Sequence, residues 1–181
     1  MKSIEEIRAD FPILSRKVYN NKPLIYFDNG ATTQKPQVVI DALNAIYTSY
    51  NGNIHRGVHF LSDLTTEAYE NARENVRAFI NAGKKEEIIF TSGTSGSING
   101  LAFSFGERYV GKGDEIIVSE LEHHANIVPW QMMCERKEAI LKVIPVLESG
   151  EPDMEAYMRL LSPRTKLVSV AHASNALGTV L

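Results

Sequence analysis

From residue 87 onward, short apolar runs alternate with longer segments of helical spacing, and this rhythm constrains the fold more than any other feature. The runs are EIIF (87–90), EIIVS (115–119), AILKVIPV (139–146) and TKLVSVAH (165–172). Between them the spacing predicts helices over about 96–109, 124–138 and 153–161, the last stopped by Ser162-Pro163. Strands with few polar residues, alternating with helices, imply a mostly parallel α/β sheet covered on both faces. Ligands in such sheets bind beyond the carboxyl ends of the strands, so the loops there are the first places to look for chemistry.

The first part of the chain has a different texture. PQVVIDALNAIYTSY places Val39, Leu43, Ile46 and Tyr50 at helical spacing behind Pro36. LSDLTTEAYENARENVRAFINAG does the same with Leu64, Ala68, Ala72, Val76 and Phe79, and Gly83 is the expected C-cap. The expected organisation is therefore a helical segment with loops over 1–86, then α/β over 87–181. The last run leads into VAHASNALGTVL with no covering helix behind it. That pattern implies a larger protein interrupted here; a natural terminus is the alternative.

Bulk properties exclude several classes. Nineteen basic against 22 acidic side chains give a net charge of −3, without the basic footprint of a nucleic-acid binder. No apolar run approaches the roughly 20 residues needed to span a bilayer. MKSIEEIRADFP is amphipathic and acidic, unlike a signal peptide. A single cysteine, Cys134, excludes an internal disulfide framework. A cytoplasmic, soluble protein is expected.

IIFTSGTSGSINGLAFSFGERY runs from a strand through a Gly/Ser/Thr turn into a helix with Ile98, Leu101, Phe105 and Tyr109 on one side. Unpaired N–H groups of the first turn, with the Thr94, Ser95 and Ser97 hydroxyls, make a plausible phosphate cradle. An ordinary capped helix needs the same residue types. The spacing of Gly93, Gly96 and Gly100 fits neither a P-loop nor a dinucleotide fingerprint.

Two of the five histidines, His123 and His124, are adjacent in SELEHHANIVPW. Neighbouring side chains diverge, so a shared metal is disfavoured. His55 and His59 in NIHRGVH would share a face only on a helix, and Gly57 weakens that; no metal is assigned. Cys134, Trp130, Met132 and Met133 are expected in the core. Asp28 and Asn29 in YFDNGATTQKP suit an Asx-turn.

Taken in order, YFDNGATTQKPQVVIDAL, NIHRGVH, EEIIFTSGTSGSIN, EHHANIVPWQ and TKLVSVAHASNALGT resemble the N-terminal part of SufS/CsdA-type cysteine desulfurases and selenocysteine lyases. These belong to the class V aminotransferase group with the type I pyridoxal 5′-phosphate (PLP) fold. The resemblance implies that His123 stacks on the cofactor ring with a possible proton role, while His124 shapes the loop. It assigns Thr94 and Ser95 to the phosphate, Asn175 to the ring oxygen, His55 and Arg56 to an active-site loop, and Ala31 and Asn29 to the substrate side. It also implies L-cysteine or L-selenocysteine as substrate, a sulfur-acceptor protein in iron–sulfur assembly, and a homodimer.

The phosphate turn more often reads Gly-Thr-Thr-Glu in this group, against Gly93-Thr94-Ser95-Gly96 here, and DNGAT and HASN replace DNAAT and HVSN. The Schiff-base lysine, its acidic partner, the nucleophilic cysteine and the carboxylate-binding arginine lie in segments with no match in these residues. Cys134, Lys112 and Lys166 fall outside the matching motifs, so the chain is expected to be inactive alone. Another enzyme of the same group, a phosphate-compound or partner-binding module, and a histidine metalloprotein are the alternatives.

Overall fold

The computed structural model describes residues 2–180. They form two units, Met1–Ile89 and Phe90–Leu181.

The first unit begins with α1 (Ile4–Ala9), started by a capping box in which Ser3 and Glu6 satisfy each other's backbone N–H groups. A small antiparallel ribbon, β1 (Lys17–Val18) and β2 (Lys22–Pro23), follows. The pattern behind Pro36 becomes α2 (Gln37–Ala45), but the expected single helix ends there and Ile46–Tyr50 form a π-helical turn. The long helix α3 (Phe60–Phe79) stops before Gly83. Asn81, at φ 57°, takes the left-handed position instead. The Ala82 N–H reaches Arg77 O at 2.9 Å and the Asn81 N–H reaches Ala78 O at 3.2 Å, the two bonds of a Schellman motif. Val39, Leu43 and Phe79 of the expected apolar faces are exposed.

The second unit is built on three parallel strands, β3 (Glu115–Ser119), β4 (Ile140–Ile144) and β5 (Thr165–Ser169), in the order β4-β3-β5. The central strand is buried at every residue, with apolar Ile116–Val118 flanked by buried Glu115 and Ser119. The first expected strand, residues 87–90, lies in no ladder: a 3₁₀ turn takes Lys85–Glu87, and Ile89 is exposed. None of the three sheet strands pairs with it in a ladder.

Three helices follow the expected alternation: α4 (Thr94–Tyr109), α5 (Val128–Lys137) and α6 (Met154–Leu160). The helix expected over 124–138 is divided into a 3₁₀ turn, His124–Asn126, and α5. Pro129 explains the break, because it has no N–H to continue a helix from the preceding turn and is tolerated only in a first turn. Glu138, at φ 52°, closes α5.

The core packs α4 and α5 against the sheet through Ala102, Val110, Ile116, Val118, Trp130, Met133 and Cys134. The buried stripe of α4 is rotated from the expected one. Ile98 and Phe105 pack on the core, but Leu101 and Tyr109 are largely exposed and the small residues Ala102 and Gly106 lie inward. Small side chains allow α5 to approach closely. Trp130 and Cys134 are buried as expected, whereas Met132 points out at 58% exposure. No helix among the described residues is long and apolar enough to cross a membrane.

Candidate functional site

The carboxyl ends of β3 and β5 carry the segments on which His123 and Asn175 sit. Beyond β3, the chain turns through Glu120–Glu122 to His123, whose Nδ1 accepts the Ala125 N–H at 3.1 Å and caps the 3₁₀ turn. With Nδ1 accepting, the neutral ring carries its proton on Nε2. His124 stands edge-on to it, with ring centroids 6.1 Å apart and planes at 89°. The adjacent pair therefore divides into one ring fixed by its own backbone and a perpendicular neighbour, with no shared ligand geometry. Both rings are exposed.

Beyond β5, Asn175 lies on a turn held by Ser174. The Ser174 Oγ accepts the N–H groups of Ala176 and Leu177 at 3.3 and 3.2 Å, and its own N–H donates to Thr179 O at 2.8 Å. His123, His124 and Asn175 line one open cavity of about 470 Å³ with Glu122, Val146 and Leu177. Thr94 and Ser95 are not part of that wall. They open α4, which packs beside the 124–126 turn.

The start of α4 has no side-chain cap. Gly93 precedes it at φ 136°, a conformation that side chains rarely adopt. Thr91 organises the turn: its Oγ1 lies 2.7 Å from Ser97 Oγ and accepts the Gly93 N–H at 3.3 Å. The Thr94 and Ser95 N–H groups thus begin a 16-residue helix whose positive end has no carboxylate or hydroxyl cap of its own.

Sequence reasoning passed over the buried network beneath His123. Glu122, only 7% exposed, receives Ser119 Oγ at 2.6 Å and the Ala171 N–H at 2.9 Å on one oxygen, and Asn126 Nδ2 at 2.7 Å on the other. Asn126 Oδ1 accepts Trp130 Nε1 at 2.9 Å and Ser169 Oγ at 2.6 Å. The signal was present as polar residues at Glu122 and Asn126, four apart and flanking the histidine pair, beside apolar neighbours.

In the first unit, His55 adopts φ 61°. Its N–H donates to Thr66 Oγ1 at 3.0 Å and its Nε2 lies 3.2 Å from Glu70 Oε1. The hydrogen bond from Lys85 holds the Glu70 carboxyl below its usual range. His59 caps α3, with Nδ1 accepting the Ser62 N–H at 3.3 Å. The two rings thus have separate local partners. Arg56 is exposed on the same loop. Asn29 and Ala31 lie exposed on a turn closed by the N–H groups of Ala31 and Thr32 donating to the Asp28 backbone oxygen, so the turn uses main chain where an Asx side chain was expected. Among the described residues, no group of three or more His, Cys, Asp or Glu side chains is placed to hold a metal.

Cys134 is buried in the core, and desolvation pushes its thiol up to about 11. A thiol so placed is neither accessible nor ionised near neutrality, which excludes it as a nucleophile.

The chain is 55% identical over 177 residues to a protein of Mycobacterium leprae named probable cysteine desulfurase 1, covering 98% of this chain and 29% of that one. It is 53% identical over 175 residues to a probable cysteine desulfurase of Staphylococcus aureus, covering 97% and 42%. It thus spans well under half the length of these curated relatives and corresponds to their N-terminal part. Among solved structures it resembles the apo cysteine desulfurase of Thermococcus onnurineus NA1, with TM-score 0.88, 38% identity, and 99% of this chain and 42% of that one covered. The cysteine desulfurase CsdA of Escherichia coli superposes with TM-score 0.81 and 32% identity, over 99% and 44%. Residues 25–181 match the model of the aminotransferase class-V family, and the chain belongs to that family.

Proposed function

We propose that this chain supplies one wall of a pyridoxal 5′-phosphate site in a cysteine desulfurase. The observation that carries the proposal is the placement of His123 and Asn175 on one cavity, with α4, uncapped at its start, packed beside the 124–126 turn. In this scheme residues 1–86 contribute a helical segment and active-site loops, and 87–181 the first part of the cofactor-binding domain.

The donor set fits the cofactor. The N–H groups and hydroxyls of Thr94 and Ser95 suit a phosphate at a helix N-terminus. The exposed His123 ring offers an aromatic face for stacking, with Nε2 at its outer edge. The Asn175 amide can donate to a ring oxygen. When bound, the cofactor withdraws electrons from the substrate Cα and so eases loss of its proton. His123 would hold the ring's face and stand near protons moving there; His55 and Arg56 would belong to an active-site loop, and Asn29 and Ala31 to a substrate-side segment.

In the complete reaction, sulfur would leave L-cysteine for an enzyme thiol, giving a persulfide and L-alanine. The buried Cys134 does not suit that role, so we place the accepting thiol outside these 181 residues. We further propose an acceptor protein serving iron–sulfur assembly, a homodimeric enzyme, a cytoplasmic location, and L-selenocysteine as an alternative substrate.

The test is titration of the 181-residue chain with pyridoxal 5′-phosphate, followed by quenching of its single tryptophan, Trp130. Pyridoxal without the phosphate should bind at least about tenfold more weakly, as expected for loss of several charge-assisted hydrogen bonds. Ser95→Ala and His123→Ala should each weaken binding. Equal affinity for both compounds would overturn the phosphate assignment, and alanine release from L-cysteine by this chain would overturn the placement of the thiol.

A further inference from the structure

We propose that Glu122 is a positioning residue whose carboxylate fixes the spacing between His123 and Asn175. The proposal rests on the reading that these two residues serve one ligand. Glu122 directly precedes His123, and it receives the backbone N–H of Ala171 at 2.9 Å, four residues before Asn175. It also receives Ser119 Oγ, at the end of β3, and Asn126 Nδ2. One side chain therefore ties together the segments leaving β3 and β5 at the point where each turns towards the cavity.

The hydrogen-bond directions in this cluster are forced. An indole N–H can only donate, so Trp130 Nε1, 1% exposed and 2.9 Å from Asn126, requires an oxygen there. This fixes Asn126 with Oδ1 towards Trp130 and Ser169 Oγ, and Nδ2 towards Glu122 and the Ser169 backbone oxygen at 3.3 Å. Asn126 must then donate to Glu122. A backbone N–H also can only donate, so Ala171 requires an acceptor as well. Residue 122 consequently has to accept on both oxygens, and of the side chains this long only a carboxylate does so.

Glu122→Gln keeps the shape of the side chain and fails in either orientation. The amide NH₂ group faces either Asn126 Nδ2 or the Ala171 N–H, leaving two buried donors opposed. Asn126→Asp alone fails for the opposite reason, setting two carboxylates together. The exchanged pair, Glu122→Gln with Asn126→Asp, satisfies the cluster again. The introduced aspartate accepts from Trp130 and Ser169 Oγ on one oxygen and from the introduced glutamine's NH₂ on the other, while the glutamine oxygen takes Ser119 and Ala171. The 3.3 Å contact to Ser169 O is given up and two oxygens face each other there, so the restoration is incomplete.

The experiment is amide hydrogen exchange, read residue by residue by NMR on the full 181-residue chain without ligand. Glu122→Gln should speed exchange at Ala171 and Ser174 by at least about tenfold, the scale set by one unsatisfied buried donor. The β3 amides Ile116–Val118 should keep their rates. The exchanged pair should restore most of the protection lost in either single variant. Unchanged exchange at Ala171, equal acceleration in β3, or no restoration in the exchanged pair would each overturn the proposal. Because no pyridoxal 5′-phosphate is present, failure of the chain to bind that compound would count against the proposed function and leave these exchange rates to decide the role of Glu122.

Discussion

Gly106 gives a sharp test of how the second unit is packed, because two opposing effects of one methyl group can be separated. A Cβ built on Gly106 would lie 2.5 Å from Met133 Cγ and 3.0 Å from Met133 Sδ. Met133 is 1% exposed, so it has no free space in which to retreat. Overpacking of this kind costs about 1–3 kcal/mol. Against it stands the gain of about 1 kcal/mol when alanine replaces glycine inside a helix. Gly106→Ala should therefore be destabilising by about 0–2 kcal/mol, although the same change on an exposed helical face would stabilise. Met133→Ala removes both clashing atoms, at a cavity cost of about 2–5 kcal/mol. In that background Gly106→Ala should become stabilising by about 1 kcal/mol or more, since the methyl also fills part of the void. Urea unfolding of the four proteins, followed by the far-ultraviolet circular dichroism of the helices, reads the cycle. A Gly106→Ala effect of the same sign and size in both backgrounds would refute the close α4–α5 contact.

Three further outcomes follow from the same structure. Glu115, 1% exposed, binds Lys142 Nζ at 2.7 Å and Ser162 Oγ at 2.6 Å, and these bonds, with Arg164, lower its carboxyl to about 2. Because the folded value lies below the ordinary one of about 4.3, its stabilisation is fully present above about pH 4.3 and is lost as pH falls towards 2. Glu115→Gln should thus lower the urea midpoint at pH 7 and flatten its decline between those pH values; an unchanged slope would contradict the assignment. Gly93→Ala should destabilise by about 1–3 kcal/mol through backbone strain, since φ is 136° and no atom lies within 4 Å of the added carbon. Gly93→Ser should be no better, and a variant as stable as the parent would refute the strain. Asn81→Ala should cost up to about 1 kcal/mol at the left-handed end of α3, whereas Asn81→Gly should be neutral or stabilising, both measured by thermal unfolding.

What the sequence disclosed depended on whether a signal was local or relational. The runs at 115–119, 140–144 and 165–169 were legible because β-branched and other apolar residues dominate each of them, and the central run, buried throughout, has polar side chains only at its two ends. EIIF carried the same signal, yet a strand is defined by its ladder, and residues 87–90 join none of the ladders formed by β3, β4 and β5. The stripe of α4 was misplaced because large apolar residues were favoured, while the contact with α5 uses Ala102 and Gly106, whose smallness is what allows the approach. Asn81 and Glu138 close helices at positive φ, where sequence reasoning favours glycine. Pro129 did announce the break at residue 127, but helical spacing over 124–138 outweighed it in the expectation. The candidate site divides in the same way. His123 and Asn175 were singled out through motifs and line one cavity, while Glu122 becomes visible only when Trp130, Asn126 and Ala171 are seen around it.

The two ends of β3 show why stability and site geometry can be separated in this unit. Glu115 opens the strand and Ser119 closes it, about 13 Å apart at the usual rise per residue. At the first end, Glu115 joins β3 to Lys142 of β4 and to Ser162 and Arg164 just before β5. At the other end, Ser119 passes into the Glu122–Asn126 cluster that reaches Ser169 and Ala171. Both clusters cross between strands, but they differ in what extends from them. The segments beyond the first are a helix end and a tight turn, whereas those beyond the second carry His123 and Asn175. Parallel strands make this division natural, because every strand sends its carboxyl end to the same side. Loss of Glu115 should therefore weaken the whole sheet and leave the relation between His123 and Asn175 intact in the molecules that stay folded, whereas loss of Glu122 should disturb that relation first.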